Sequence, residues 1–433
     1  MISACRVAAI ALVSGLVLLG QGSLAQGTAT LDPFFGDGGV AAFDQGGIGS
    51  PEALEIDHRG RPLVVGATQG SDCPAVYAAR FNGNGTLDKS FGGQGFVTAA
   101  HGCEAGKSVV ALAGGGVLVA GVNLCEYSSL LNCFLVSYKF RVNGKRSEDW
   151  GFSAIQGRRI VRTNSSLIPS DAVQDSSGRI LIGGTADHGP NRSGGFVARF
   201  KADGSFDKSL SSAEKSRNGL PGMVEFLAPR GSHASVQDLE VYGRKILAAG
   251  FLQGKLMIAR LSGAGKPDKS FGRNGLYLRD LDGSKNCECT RGFAMTRDKK
   301  GRIVVGGADG AFFAFDGSTR YRSFLVRVRP DGTVDHSFGK SGVVFPRLGR
   351  SSIQSVAVQS NGRILASGSI GHKSFIARFE SNGDPDRTFF DRGVLRLPRS
   401  DEANALAIDG QGRIVAVGRS EYSGAQLLRI VDR

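Results

Sequence analysis

A nine-residue motif that recurs along the chain constrains its fold more than any other feature. It reads LDPFFGDGG from Leu31, LDKSFGGQG from Leu87, PDKSFGRNG from Pro267, VDHSFGKSG from Val334 and PDRTFFDRG from Pro385. A chain that repeats one motif in this way is built from copies of one supersecondary unit, because each copy buries its apolar face against its neighbours. The sequence therefore predicts a repeat architecture rather than a string of unrelated domains.

Three further columns accompany the motif. The first is an apolar stretch that ends in an acid, such as ALAID before Gly410. The second is Gly-Arg followed by β-branched residues and a glycine, such as GRIVVGG from Gly301, and the third is an apolar run around an arginine, such as VARF from Val197. The glycine that closes the second column is expected at seven positions, 50 to 66 residues apart: Gly66, Gly121, Gly184, Gly250, Gly306, Gly368 and Gly418.

Each copy contains four short runs of strand character separated by glycine-rich turns, and we find no stretch of ten or more residues with a helical period. Four strands in a unit of this length are typical of a propeller blade rather than of a solenoid repeat. The 64 glycines of the chain fit a turn-rich all-β protein. The sequence therefore predicts an all-β, seven-bladed β-propeller with four antiparallel strands per blade.

The motif copies at Leu87, Pro267 and Val334, with the Gly-Arg and Ala-Arg-Phe columns that follow them, resemble the delta-60 repeat proteins, whose layout is similar to that of NHL-type propellers. The resemblance extends from Leu31 to Ile430. It implies that each blade runs from an innermost Ala-Leu-Ala-Ile-Asp strand outwards, and it implies no general activity. Two copies depart from the pattern, RSEDWGFSAIQG after Phe140 and FDKSLSSAEKSRNG after Phe200, so the usual turn is not assumed there.

The two ends of the chain are predicted to close the ring. The chain begins with an outermost strand, Gly39 to Phe43, and ends after a third strand, Leu427 to Ile430. We expect the N-terminal strand to complete the last blade, because this removes sheet edges that would otherwise pair with other chains. Columns shared by nearly every blade are expected to be structural, so a functional site is sought where the repeat breaks.

The first 25 residues are typical of a secretory signal. Arg6 precedes an apolar run from Val7 to Gly20, and small residues precede a cleavage site that leaves Gln26 first. The run is shorter than the ~20 apolar residues that span a bilayer. We therefore expect a signal peptide at 1–25, a single propeller domain at 26–433, and an exported protein, periplasmic or extracellular, without a transmembrane segment in the mature chain.

Loops that join second to third strands vary most in length, and they share one face of the ring with the links between blades. Variable loops on a rigid scaffold are common binding sites, so this face is the predicted ligand face. The six cysteines of the mature chain all map to it, and an even number in an exported protein favours disulfides. The candidate pairs are Cys125 with Cys133 and Cys73 with Cys103; the state of Cys287 and Cys289 stays open between a disulfide and a metal or redox pair.

The formal charge of +14 is not explained by the repeat, because the repeated acids and bases nearly cancel. Part of the excess falls on the predicted ligand face of blades five to seven. This is a candidate basic patch for an anionic polysaccharide, a lipid headgroup or a protein partner, with nucleic acid less favoured, and the alternative is an ordinary solvated surface. The patch consists of Arg320, Arg322, Arg347, Arg350, Arg399 and Arg419, with Lys373 nearby.

Motifs of known chemistry are not found. The six histidines lack metal-ligand spacing, and neither a G-x-S-x-G elbow nor a phosphate-binding glycine loop is present. The stretch DLDGSKN from Asp280 offers clustered oxygen ligands, so calcium is an alternative to an ordinary turn there. We therefore predict no catalytic residue and no metal or other cofactor.

These features favour an exported, non-catalytic binding scaffold that contacts its ligand through the variable loop face. The alternative is a propeller enzyme, similar to lactonases, lyases or quinoproteins, with a site at the central channel. That alternative requires inward-facing carboxylates and usually a metal. A third hypothesis is an assembly or adhesion module, which the oligomeric state would distinguish.

Overall fold

The computed structural model describes residues 29–432 apart from 44–47, 69–72, 100–101, 124–132, 152–155, 164, 190, 211–219, 282–289, 312–319, 372, 398–403 and 421–423. Within these residues the regular structure is β-strand arranged in seven sheets, each of which is one blade. In that part of the chain there is no helix of the length and apolar character that a membrane span requires. The predicted all-β, seven-bladed propeller is confirmed.

The first two strands are β1 (Ala29–Leu31) and β2 (Val40–Phe43). Blade one then comprises β3 (Ile48–Ile56), β4 (Pro62–Thr68), β5 (Val76–Arg80) and β6 (Phe96–Ala99). Blade two comprises β7 (Glu104–Ala111), β8 (Val117–Asn123), β9 (Phe134–Phe140) and β10 (Arg158–Val161). Blade three comprises β11 (Ser166–Gln174), β12 (Ile180–Asp187), β13 (Ser193–Phe200) and β14 (Met223–Leu227).

Blade four comprises β15 (Ala234–Tyr242), β16 (Lys245–Leu252), β17 (Lys255–Ser262) and β18 (Leu276–Arg279). Blade five comprises β19 (Arg291–Arg297), β20 (Ile303–Ala311), β21 (Arg320–Val328) and β22 (Val343–Val344). Blade six comprises β23 (Ser351–Val358), β24 (Ile364–Ile370), β25 (Lys373–Phe379) and β26 (Val394–Leu397). Blade seven comprises β27 (Ala405–Ile408), β28 (Ile414–Ser420) and β29 (Gly424–Asp432), together with β1 and β2.

Ring closure follows the prediction. Strand β2 pairs antiparallel with β29, with Val40 opposite Leu428 and Phe43 opposite Ala425. The short strand β1, which we did not predict, pairs with the end of β29. The N-terminus therefore contributes both the motif turn and the outer strand of blade seven, and in every blade the inner strand pairs antiparallel with the second.

The apolar core lies in the seams between blades. One cluster joins Leu247 and Ile258 of blade four to Val305 and Val326 of blade five, and all of these side chains are buried. Similar clusters join other pairs of neighbouring blades, because each sheet packs face to face with the next. The core thus forms a ring around the central axis rather than one central mass.

The repeated arginine, aspartate and phenylalanine form a recurring contact cluster in most blades. In blade five, Arg327 Nε donates to Asp335 Oδ2 at 2.7 Å, and the guanidinium lies 4.5 Å from the Phe338 ring centroid. A second guanidinium nitrogen donates to the carbonyl of Ser381 in blade six. The pairing of the repeated arginine with a repeated acid recurs at Arg80, Arg199, Arg260, Arg378 and Arg429.

The two copies that depart from the motif differ in how they fill this position. In blade two Trp150 is fully buried, its indole N–H donates to Ser137 Oγ at 3.2 Å, and Gly151 N–H donates to the carbonyl of Asp203 in blade three. In blade three Leu210 is fully buried, and residues 211–219 lie outside the described residues. Tryptophan and leucine therefore replace the buried phenylalanine of the other blades.

The repeated glycine of the second strand has a steric cause, and the position predicted for it in blade five was wrong. A Cβ at Gly250 would lie 2.0 Å from the carbonyl oxygen of Ser235 in the inner strand. In blade five the equivalent contact, 2.0 Å to the carbonyl oxygen of Arg291, belongs to Gly307, whereas Gly306 pairs with Ala294. The two adjacent glycines of GRIVVGG made the position ambiguous in sequence.

Candidate functional site

A polar cavity of about 480 Å³ lies where the inner strands meet. Its lining comes from all seven blades, through β3, β7, β11, β15, β19, β23 and the residues at the start of β27. The cavity is therefore the central channel of the propeller. No single repeat builds it, because each blade contributes two to four residues.

A bulge in the inner strand directs one side chain of each of the first six blades towards this cavity. The pairing register with the second strand skips one residue in β3, β7, β11, β15, β19 and β23. Bulges re-aim side chains and are over-represented beside functional sites. The skipped residues, with Asn404 just before β27 in blade seven, all line the cavity and are half-buried: Glu52, Lys107, Ser170, Gln237, Phe293, Gln354 and Asn404.

The next residue of each inner strand forms a second ring, which links the blades. Ser108 Oγ accepts from Ala172 N–H at 3.0 Å, and Ser355 Oγ accepts from Leu406 N–H at 3.2 Å. Aspartates occupy this position in blades three and four, and alanine or serine occupies it elsewhere. This ring is largely structural, because its side chains satisfy backbone donors that the bulges leave unpaired.

The two aspartates of this ring, Asp171 and Asp238, are hydrogen-bonded to each other. Asp171 also accepts from Leu239 N–H at 2.9 Å and from Ser108 Oγ at 3.0 Å, and Asp238 accepts from Met295 N–H at 2.6 Å. Burial raises the pKa of both carboxyls, and the charge of Asp171 raises the pKa of Asp238 further. Protonation of either carboxyl would therefore relieve the repulsion between the two.

Glu55 is a third inner-strand carboxyl with altered acidity. Burial raises the pKa of Glu55 to about 7, and the charge of Asp171 adds to this effect. A hydrogen bond from Ala111 N–H in blade two, at 2.5 Å, opposes the rise by stabilising the charged form. Three inner-strand carboxyls, Glu55, Asp171 and Asp238, therefore have pKa values that burial raises.

The cavity lining is polar but nearly balanced in charge. Lys107 Nζ lies 2.8 Å from Glu52 Oε1, with both side chains about one-third exposed. The amides of Gln237 and Gln354 are oriented by donation to Ser235 Oγ and Ser352 Oγ, two residues earlier, at 2.6 and 3.1 Å. The cavity therefore offers both donors and acceptors, with the Phe293 ring as an apolar surface.

Hydrolysis by two separated carboxylates does not fit the aspartate pair. Such enzymes hold their carboxyl groups roughly 5–9.5 Å apart to admit a sugar or a water molecule. Asp171 and Asp238 are in direct hydrogen-bond contact, and backbone N–H groups also bind both carboxyls. Among the described residues no group of three or more His, Cys, Asp or Glu side chains could hold a metal ion.

The described residues of the predicted basic patch do not line the cavity. Arg322 stacks on Phe345, with its guanidinium carbon 3.7 Å from the ring centroid, and lies 3.4 Å from the buried Asp309 carboxylate. Arg347 and Arg350 are exposed in the link between blades five and six. Stacking and the neighbouring carboxylate partly neutralise Arg322, so it differs from a freely solvated cation.

The other members of the patch are distributed over blades five to seven. Arg320 lies opposite Ala311 at the start of β21, Arg419 is half-buried near the end of β28, and Lys373 is exposed at the start of β25. Arg399 lies outside the described residues. The basic patch therefore stays a prediction.

A disulfide joins Cys73, in the loop between β4 and β5, to Cys103, in the link that enters blade two. It crosses the seam between blades one and two on the predicted ligand face. Cys125 lies outside the described residues, so its pairing with Cys133 stays a prediction, as does the state of Cys287 and Cys289.

The calcium hypothesis and the signal peptide also remain untested. Asp280 and Leu281 of DLDGSKN are described, but the rest of that stretch is not. Residues 1–28 also lie outside the described range. Both interpretations therefore remain predictions from sequence.

Sequence reasoning missed the cavity ring, although a signal existed. The seven cavity-facing side chains occupy one column of the repeat, immediately before the innermost apolar stretch. This column reads Glu, Lys, Ser, Gln, Phe, Gln, Asn, whereas the columns on either side of it are mostly small or apolar. A polar column without consensus inside a buried strand marks the position where the blades differ chemically.

Three segments of the chain match the family model described as "Domain of unknown function (DUF5122) beta-propeller". The matched residues are 176–210, 301–338 and 359–389, about a quarter of the sequence. They cover the second strand, the third strand and the motif turn of blades three, five and six. The fold is therefore a seven-bladed β-propeller in which three blades contain segments similar to this family model.

Solved structures similar to the chain are propellers with different roles. The Dos1 propeller has a TM-score of 0.49 and 7% identity, with 90% of this chain and 95% of that chain covered. YCF48 bound to D1 peptide has a TM-score of 0.44 and 10% identity, with 92% and 98% covered. The α-L-arabinofuranosidase Arb93A from Fusarium graminearum has a TM-score of 0.43 and 12% identity, with 75% and 92% covered. These likenesses concern the fold alone, and no curated protein matches the sequence.

Proposed function

We propose that the protein is an exported binding propeller of the delta-60 repeat type that holds a neutral, hydroxyl-rich ligand such as a saccharide unit in its central cavity. The observation that carries the proposal is the column of bulged residues. The motif, Gly-Arg and Ala-Arg-Phe columns are shared between most blades and build the scaffold, whereas this column supplies different side chains to a single cavity.

The chemistry of the lining favours this ligand class. Amides such as Gln237 and Gln354 provide donors and acceptors in fixed positions, and the Phe293 ring provides a surface for the apolar face of a sugar ring. The ion pair of Glu52 with Lys107 neutralises itself, and burial raises the pKa of both aspartates, which favours their uncharged forms. A neutral polar molecule therefore meets donors, acceptors and an apolar ring in a cavity of low net charge.

Export is part of the proposal and rests on two observations. The first 25 residues have the pattern of a signal peptide. The disulfide between Cys73 and Cys103 is of a kind that persists in oxidising compartments and is rare in the cytosol. An exported binding protein would encounter saccharides in the periplasm or outside the cell.

Calorimetric titration of the purified mature chain with a panel of mono- and oligosaccharides tests the proposal. We expect Gln237→Ala and Phe293→Ala each to weaken binding of a saccharide at least tenfold, because each removes a direct contact in the cavity. The matched controls are Gln411→Ala and Phe34→Ala, which change exposed residues outside the cavity. Binding that is unchanged in both cavity variants, or a panel without any ligand, would overturn the proposal.

A further inference from the structure

A serine, a histidine and a glutamate form a continuous hydrogen-bonded array in blade three, away from the central cavity. Ser165 Oγ lies 2.7 Å from His188 Nδ1, and the other ring nitrogen, Nε2, is bonded to Glu225 Oε1. The three residues come from the link before β11, the loop after β12 and the outer strand β14. Three separate segments thus converge on one imidazole ring.

The three residues of the array are almost fully buried, although each keeps a small exposed fraction. The side chains of His188 and Glu225 are 4% and 1% exposed, and Ser165 is 6% exposed. Ser165 N–H donates to Thr163 Oγ1 at 3.1 Å, and this hydroxyl donates to the carbonyl of Ser165, so the serine backbone is held in place. In such surroundings a hydrogen bond between an imidazole and a carboxylate is stronger than in water.

The order of groups is that of an activated nucleophile. Glu225 accepts the proton of Nε2, which fixes the histidine tautomer and leaves Nδ1 free to accept the proton of Ser165. The common arrangement uses the two ring nitrogens in the opposite sense, but either nitrogen can act as the base. A nucleophile, a base within hydrogen-bond reach and a third group that orients the base define this kind of site.

A cationic donor lies in the same turn. The backbone of Arg192 is paired with His188, whose N–H donates to the Arg192 carbonyl at 3.2 Å. Arg192 Nε is buried and has no hydrogen-bond partner among the described residues. The turn that carries His188 therefore also holds a buried donor with unused hydrogen-bonding capacity.

We propose that Ser165, His188 and Glu225 form a nucleophilic site for acyl transfer from small esters, with Ser165 as nucleophile, His188 as base and Glu225 as positioning residue. Ser165 Oγ bonds to the acyl carbon while its proton passes to His188 Nδ1. The ester C–O bond then breaks, and the departing alcohol takes that proton. Water repeats the sequence on the acyl-serine and releases the carboxylic acid.

Labelling with an ethyl fluorophosphonate probe, followed by peptide mass spectrometry, tests the site. Ser165 Oγ would form a bond to phosphorus as the P–F bond breaks and fluoride leaves. Ser193 is a matched control within the same chain, since its Oγ lies 3.4 Å from His233 Nδ1 but is already bonded to the Ala234 carbonyl. We expect at least tenfold more adduct on Ser165 than on Ser193.

Variants separate a nucleophilic site from a structural network. His188→Gln should slow labelling of Ser165 about a hundredfold, and Ser165→Ala should abolish both the adduct and hydrolysis of 4-nitrophenyl acetate while keeping the wild-type circular dichroism and thermal midpoint. Glu225→Gln should lower the labelling rate, and Glu225→Asp should restore part of it. A folded wild-type protein without a Ser165 adduct, or a Ser165→Ala variant with undiminished hydrolysis, would refute the site. Neither result bears on ligand binding in the central cavity.

Discussion

Aspartates of the same chemical type differ in acidity according to their position in the blade. A hydrogen bond from Lys245 holds the pKa of Asp268 well below its usual range, and Ser270 and Arg260 act in the same direction. Burial raises the pKa of Asp238, on the inner strand of the same blade, and the charge of Asp171 raises it further. The surroundings therefore favour the ionised carboxylate in the motif turn, whereas they favour the protonated carboxyl on the inner strand.

Glu55 gives the inner ring a testable pH dependence. Its carboxyl ionises near 4.5 when unfolded and near 7 when folded, so the folded state retains a proton between these values. The resulting stabilisation is fully present below about pH 4.5 and is lost as the pH rises through 7. Between pH 5 and 8 we expect wild type to lose about 2 kcal/mol of unfolding free energy relative to Glu55→Gln, measured by urea denaturation.

The matched control is Glu148→Gln, which changes an exposed carboxyl paired with Arg141 on the outer part of blade two. This variant should follow the wild-type pH profile. If Glu55→Gln also followed it, the proton would not be held at Glu55.

The repeated arginine illustrates how far sequence reasoning succeeds at the residue scale. Its recurrence in nearly every blade indicated a structural role, and Arg327 does pair with Asp335. The excess arginines were not predictable in the same way, because charge counting does not show that Arg322 stacks on Phe345. Recurrence in the sequence identifies structural contacts, whereas residues that occur once carry no such signal.

At the scale of the strand, the inner-strand bulge and the glycine opposite it form one unit. The bulge displaces the inner-strand backbone towards the second strand, where only a glycine leaves sufficient space. Gly250→Ala would place a Cβ 2.0 Å from the Ser235 carbonyl oxygen. We expect this variant to lose about 3 kcal/mol of unfolding free energy, measured by urea denaturation, because backbone has to move to relieve the contact.

Gly410→Ala is the control for this substitution, since a Cβ at Gly410 would meet no atom within 4 Å. It should change the unfolding free energy by less than about 0.5 kcal/mol. Equal effects of the two alanines would show that the loss does not come from the close approach in blade four.

The strands themselves were predictable, but the bulges were not. Short apolar runs between glycine-rich turns marked four strands in each blade, in the observed order. A bulge adds a single residue, and in strands covered on both faces the alternation of polar and apolar residues is too weak to reveal it. The sequence of a single blade therefore does not indicate that Gln237 or Lys107 faces a cavity.

At the scale of the whole molecule, the ring depends on the segment that joins its first and last blades. Phe43 of β2 belongs to the sheet of blade seven and packs against blade one, with its ring centroid 5.7 Å from both Phe81 and Phe96. We expect Phe43→Ala to lower the unfolding free energy by about 3–5 kcal/mol, measured by thermal or urea denaturation. It removes a buried ring from the seam that closes the propeller.

Phe34→Ala provides the comparison, because Phe34 is 84% exposed in the neighbouring turn. Its effect should be within about 0.5 kcal/mol. A similar loss in both variants would contradict the role of Phe43 in closing the ring.

Sites that the whole chain assembles were the least predictable. Ser165 is 23 residues from His188 in sequence, and His188 is 37 residues from Glu225. No local motif connects residues at such distances, so only the folded blade brings them together. The central cavity is similar, since its six bulged residues and Asn404 come from positions 52 to 404 of the chain.

The pairing of β2 with β29 also determines when the ring can close during synthesis of the chain. Phe43 leaves the ribosome long before Leu428, yet the strand that carries it has no partner until the final residues follow. A growing chain therefore displays an unpaired apolar edge throughout synthesis and cannot complete its ring early. Such a delay makes late synthesis the period of greatest exposure to aggregation.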